Sequence, residues 1–103
     1  MASGVYAILN VANGMRYVGS SKYLEERMEH HFHMLELGKH HNYLLQKSYD
    51  ASGDVWAWIT LELCGFSRLE QTEQKWINRA KLHGRLFNLD LDVDRSQIND
   101  TDK

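Results

Sequence analysis

The apolar residues switch between strand-like and helix-like spacing along the chain. Gly4 to Asn10 and Met15 to Gly19 read as two strands, with Asn13-Gly14 between them. That dipeptide signals a hairpin, because a type I′ turn needs positive φ at both central residues. Ser20-Ser21 offers an N-cap for a helical pattern from about Tyr23 to Leu37, and Gly38 ends it. A second helix is expected over about Asn42 to Tyr49, then a turn at Ser52-Gly53-Asp54. From Val55 to Cys64 the chain alternates, with Val55, Ala57, Ile59, Leu61 and Leu63 on one face and Trp56, Trp58, Thr60 and Glu62 on the other. Ser67 is placed to cap a last helix reaching about Leu82, with Gly84 beyond it and a short extended segment over Leu86 to Leu91. The order β-β-α-α-β-α implies an α+β domain with a small antiparallel or mixed sheet.

Two helices carry ionisable residues beside or within the face expected to meet the core. On a wheel of about 100° per residue, Leu24, Met28, Phe32 and Leu35 form the apolar stripe of the first helix. His31 falls at the stripe's edge, with Arg27 one turn earlier, so the two form an i, i+4 pair able to point at one target. His30 and His33 point elsewhere. An amphipathic helix with solvated His and Arg gives the same pattern. In the last helix Leu69, Trp76 and Ala80, with Ile77 alongside, make a stripe that contains Glu73. A carboxylate there is costly unless paired, hydrogen-bonded or bound to a metal. Glu73 either meets a cation such as Arg27, or snorkels out, or holds a hard ion such as Mg²⁺, which takes one or two carboxylates and keeps several waters. In the hairpin, a two-residue loop sets Ala12 opposite Met15, Asn10 opposite Tyr17 and Ile8 opposite Gly19. Tyr6 and Tyr17 then share a face, and Gly19 leaves room beside them. On their own these are two ordinary strand tyrosines.

Composition narrows the class. The chain has 103 residues, enough for one domain with a real core. Hydrophobic residues make up 43% and charged residues 25%, as in ordinary globular proteins. No apolar run approaches the ~20 residues that span a bilayer, and no leader-like pattern is evident. Cys64 is the only cysteine, so no internal disulfide or Cys-based zinc site is expected, and the setting expected is a reducing cytoplasm. The net charge of −2 is unevenly spread: residues 1–89 carry ten Lys/Arg against nine Asp/Glu, and residues 90–103 carry two against five. The body is close to neutral and can meet a phosphate backbone locally, without the broad basic surface of a strong non-specific DNA binder. A zinc protein built on His30, His31 and His33 is disfavoured, because i, i+1 and i, i+2 positions diverge on a helix.

Taken together, these residues resemble a known family. Gly4-Val5-Tyr6 followed by Tyr17-Val18-Gly19 is similar to the paired motifs that name the GIY-YIG nuclease superfamily. Arg27 in a following helix, Glu73 in a later one and Asn88 near the end complete its pattern, in order, over roughly residues 4 to 90. Arg27-x-x-x-His31-Phe32, Gly38 followed by His40, and Glu73-x-x-Trp76-Ile77 resemble the catalytic domain of phage intron-encoded homing endonucleases. The resemblance implies a three-stranded, mainly antiparallel sheet flanked by about three helices, with residues 1–90 as the nuclease domain and 91–103 as a short acidic tail. It implies Tyr6, Tyr17, Arg27, His31, His40, Glu73 and Asn88 as catalytic, with His41 as an alternative to His40. Glu73 is the implied metal ligand, and Gly19, Lys22 and Arg27 the implied substrate contacts. Members of that group usually carry a separate DNA-binding region after the nuclease domain. Here an acidic tail follows, so specificity is expected from a DNA-binding domain or partner protein, with dimerisation on DNA as a further possibility.

The chemistry implied is hydrolysis of a DNA phosphodiester. Arg27 offers a guanidinium fork for the scissile phosphate. Mg²⁺ on Glu73, or another divalent ion such as Mn²⁺, would polarise the phosphate. Tyr6 or Tyr17, helped by His31 or His40, would take the proton of the attacking water, since a phenol with an ordinary pKa near ~10 is a poor base at neutral pH. Asn88 would orient groups. The competing expectation is a non-catalytic module that binds DNA or a protein.

Overall fold

The computed structural model describes residues 2–52, 55–82, 84, 86 and 87. Asn88, the Gly53-Asp54 turn and the acidic tail expected over 91–103 lie outside the described residues. Three strands form, β1 (Gly4–Asn10), β2 (Arg16–Ser21) and β3 (Trp56–Leu63), with three helices, α1 (Leu24–Leu37), α2 (Tyr43–Ser52) and α3 (Leu69–Leu82). The element order β-β-α-α-β-α is the expected one. The sheet runs β2-β1-β3, and both pairings are antiparallel.

β1 is the central strand and packs on both faces. Side chains alternate, so Tyr6 and Ile8 point one way and Val5 and Ala7 the other. Tyr6, Ile8 and Tyr17 join Leu24 and Leu35 of α1, Leu45 of α2 and Phe87 in one core. Val5 and Val18 meet Ile77 and Ala80 of α3 in a second core. Each fully buried Leu, Ile or Val side chain contributes ~1.5–3 kcal/mol of apolar burial. The sheet is therefore a partition, with α1 and α2 on one side and α3 on the other. No helix among the described residues is long and apolar enough to cross a membrane.

The hairpin differs from the two-residue I′ turn. Asn10 N–H donates to Met15 O (2.8 Å) and Gly14 N–H to Asn10 O (2.8 Å), so the loop has four residues, Val11 to Gly14. The Asn10 side chain builds it, its Oδ1 accepting from Ala12 N (2.9 Å) and Asn13 N (3.3 Å). Gly14 alone in the loop has positive φ (80°) and Asn13 does not, which rules out a type I′ turn. Tyr6 pairs with Gly19, and Ile8 with Tyr17. The register moves by two residues, and an even shift keeps every side chain on its face, so Tyr6 and Tyr17 remain together.

Three further differences have local causes. A bulge between Val5 and Tyr6 pairings leaves Leu61 unmatched, so Glu62 lies opposite Val5 and turns toward α3 instead of sharing a face with Trp58. There Glu62 accepts from Trp76 Nε1 (2.9 Å) and meets Lys75 Nζ (2.6 Å). Neither expected serine cap forms. Ser21 Oγ accepts from Tyr23 N (2.9 Å), the residue before α1, and Ser67 lies within a 3₁₀ turn, Phe66–Arg68, that precedes α3. Gly38 ends α1 as expected, in the left-handed conformation with φ 74°.

Candidate active site

The buried side of α1 consists of Leu24, Arg27, His31 and Leu35. Met28 and Phe32, expected within the stripe, are only half-buried. The helix is rotated so that two ionisable side chains face the sheet. Such a rotation is stable only if the buried polar atoms find partners. For His31 the partners are clear.

Tyr6 Oη lies 2.5 Å from His31 Nε2. His31 Nδ1 lies 2.7 Å from His40 Nε2. His40 is fixed in turn: its backbone N–H donates to Gln46 Oε1 (2.9 Å), and its Nδ1 accepts from Asn42 N–H (3.0 Å). A hydrogen-bonded line thus runs from the start of α2, through the loop and α1, to the central strand. The His31 and His40 rings meet edge to edge in their bond, with an interplanar angle of 23° and centroids 4.9 Å apart. Tyr17 Oη reaches a different ring, His41 Nε2 at 3.1 Å. Each tyrosine therefore has its own histidine, and both His40 and His41 take part.

The phenol of Tyr6 is clamped. Trp58 of β3 stacks on its ring at 4.2 Å with a 14° interplanar angle. On the other strand, a Cβ placed on Gly19 would collide with the Tyr6 phenol oxygen and ring. The room left by Gly19 is therefore taken by Tyr6 itself.

Burial keeps His31 and His40 neutral. Burial holds His31 well below the ordinary 6.5, and the nearby charges of His40, Arg27, His41 and His30 push the same way. Burial lowers His40 to about 3, with His41 adding to the effect. Arg27 is 6% exposed and lies one turn before His31 on the same face. The fixed charge of Arg27 is what a phosphate would meet there.

Glu73 comes from the opposite side of the sheet. It is fully buried on α3, and its Oε1 accepts from Ser20 Oγ at 2.5 Å. Ser20 pairs with Val5, on the α3 face, while its neighbour Gly19 pairs with Tyr6. Strand β2 thus lies between the carboxylate and the Tyr6 phenol. A buried carboxylate beside a hydroxyl is a donor set that suits a hard, mostly hydrated cation such as Mg²⁺, since that ion needs only one or two protein carboxylates. Among the described residues no group of three His, Cys, Asp or Glu is arranged to hold a metal ion. Lys22 follows β2 and places its ammonium 4.5 Å from the centre of the Phe66 ring.

Sequence reasoning missed Ser20, Asn42, Gln46 and Trp58. Ser20 adjoins the Tyr17-Val18-Gly19 triplet, and its place on the strand sets it opposite to Gly19. Trp58 shares its predicted face with Trp56. The roles of Asn42 and Gln46 depend on the loop at His40, which no periodicity describes.

Comparison with known proteins gives a consistent likeness. The GIY-YIG catalytic domain matches residues 2–85. Intron-associated endonuclease 1 of Enterobacteria phage T4 is 36% identical over 88 residues, covering 82% of this chain. The chain spans 36% of that relative's own length. The solved catalytic domain of homing endonuclease I-TevI has a TM-score of 0.80 at 32% identity, over 85% of this chain and 98% of that one. A mutant of the same catalytic domain has a TM-score of 0.80 at 33% identity, over 87% of this chain and 95% of that one.

Proposed function

Because the chain belongs to the GIY-YIG family, we propose that it is a Mg²⁺-dependent DNA endonuclease that hydrolyses phosphodiester bonds. The observation that carries this reading is the line Tyr6–His31–His40, which joins three sequence-distant residues of the right chemistry through bonds of 2.5 and 2.7 Å. Those residues are an expensive way to fill a core, and a site accounts for them.

In the proposed reaction a water oxygen attacks phosphorus, the bond to the 3′ oxygen breaks, and the water's proton goes to the phenolate oxygen of Tyr6. Arg27 binds the phosphate and holds it in line for attack. Tyr17, held by His41, forms the second wall of the site, Gly19 makes room for the Tyr6 phenol, and Lys22 flanks the substrate path beyond the end of β2. Asn88, outside the described residues, is assigned an orienting role. Mg²⁺ bound through Glu73 would supply positive charge to the phosphate and to the departing 3′ oxygen. DNA is the proposed substrate, and recognition of a particular sequence is assigned to a further DNA-binding domain or partner protein.

The test is nicking of supercoiled plasmid at several Mg²⁺ concentrations. Arg27→Ala and Glu73→Gln, the latter retaining an acceptor for Ser20, are expected to lower the rate by at least ~10²-fold while circular dichroism stays native. Undiminished nicking by both variants overturns the assignment. A mobility shift without nicked product, from the wild-type chain, identifies a binding module instead.

A further inference from the structure

The hydrogen bonds around His40 have a direction, and that direction is set outside the residues discussed as reacting. A backbone N–H can only donate, so His40 Nδ1, 3.0 Å from Asn42 N, must accept. A neutral imidazole carries one ring proton, so His40 carries it on Nε2. That proton points at His31 Nδ1, 2.7 Å away, which must therefore accept. The ring proton of His31 is then on Nε2, which faces Tyr6 Oη at 2.5 Å. The phenol oxygen is the acceptor at the end of the line. The opposite polarity would place two hydrogens between Asn42 N and His40 Nδ1.

Asn42 is held for this task. It is 3% exposed and caps α2, its Oδ1 accepting from Leu45 N–H at 3.0 Å. Its Nδ2 donates to Phe87 O at 3.0 Å. Gln46 fixes the same loop from one turn along α2, accepting from His40 N–H and donating to Leu35 O at 2.9 Å. A helix cap alone requires the first of these bonds and none of the others.

We propose that Asn42 is a positioning residue of the site: its backbone N–H locks His40 and His31 as Nε2–H tautomers, so that the pair donates a hydrogen bond to Tyr6 and does not take its proton. The histidines then stabilise the phenolate, and the Tyr6 proton passes to water and not to the imidazoles; the phenol re-formed by the attacking water's proton loses it the same way. The inference rests on the reading of Tyr6 as the proton acceptor, yet its first readout is independent of DNA. Burial, which disfavours the charged rings, agrees with two neutral histidines.

The experiment is long-range proton–nitrogen NMR of the ¹⁵N-histidine-labelled full chain near neutral pH. Both His31 and His40 are expected as Nε2–H tautomers. An Nδ1–H or imidazolium signature for either ring overturns the proposal, whether or not any variant folds. Two substitutions then separate positioning from capping. Asn42→Ala removes the cap side chain and keeps the N–H, whereas Asn42→Pro removes both. The Pro variant is expected to show Nδ1–H signal at His40 and to nick at least ~10-fold more slowly than the Ala variant, through kcat with KM unchanged. Equal ring spectra and equal rates for the two variants overturn it. Wild-type protein with the expected tautomers but no nicking overturns the endonuclease reading and leaves the hydrogen-bond direction standing.

Discussion

Gly19 shows how one position can matter by what it lacks. In the sequence it reads as space beside two tyrosines. In the fold that space is filled, because Tyr6 swings its phenol over Gly19 and is backed by Trp58 at 4.2 Å. An added methyl has nowhere to go, and the ring cannot retreat. Gly19→Ala is expected to cost ~1–3 kcal/mol, the usual range for overpacking a filled site. It should also break the Tyr6–His31 bond and with it plasmid nicking. Urea unfolding and the nicking assay check the two effects together, and a Gly19→Ala protein with wild-type stability and rate would sink the argument. Glu73 was legible because a carboxylate on a core-facing stripe is a visible anomaly, whereas Arg27 and His31 stood out only as an i, i+4 pair flanking the stripe. Ser20, the partner of Glu73, carries no such mark: a serine in an edge strand gains meaning only from what packs against it.

At the scale of elements, type and order were legible, while rotation and register were not. The wheel set His31 at the margin of the α1 stripe, because Met28 and Phe32 extend the apolar face away from it. The helix turns the other way because His40 and Tyr6 supply polar partners that a one-dimensional pattern cannot contain. In the hairpin, Asn10 captures two loop N–H groups and lengthens the turn, and the even shift preserves the faces. The β3 bulge has no periodic signal at all. The docking of α1 and the His40 loop has an acid cost. Folded, both rings resist protonation; unfolded, each binds a proton near pH ~6.5. Between that value and the His40 value of about 3, the unfolded chain holds more protons, so stability rises with pH in this window and is flat above it. Each neutral histidine contributes a slope of up to ~1.4 kcal/mol per pH unit. Urea midpoints at a series of pH values between neutrality and acid should show this limb. His40→Gln, which cannot titrate, should flatten it by about one proton, and an unchanged acid limb in that variant contradicts the assignment.

At the scale of the whole molecule the charge balance and the site together constrain how DNA is cut. Residues 1–89 carry ten cationic and nine anionic side chains, so attraction to a duplex comes from local groups such as Arg27 and Lys22 and not from a broad field. Affinity for DNA scales with the phosphates neutralised, with log K falling against log salt by roughly 0.9 per phosphate. A body with few contacts is expected to bind weakly and to show a shallow salt slope, two or three phosphates and not the ~6–10 of a strong binder. The chain holds one Tyr6–His31–His40 line, and one line can serve one strand at a time. Nicked circles should therefore accumulate before linear plasmid, and linear product should rise more steeply with protein concentration than the nicked product does. A time course at several protein concentrations, resolved on an agarose gel, reads both quantities. Linear DNA formed from the first time point in fixed proportion to nicked circles, at every protein concentration, means that both strands are cut in one encounter. That result requires a second copy on the DNA before chemistry begins and would replace the single-site picture.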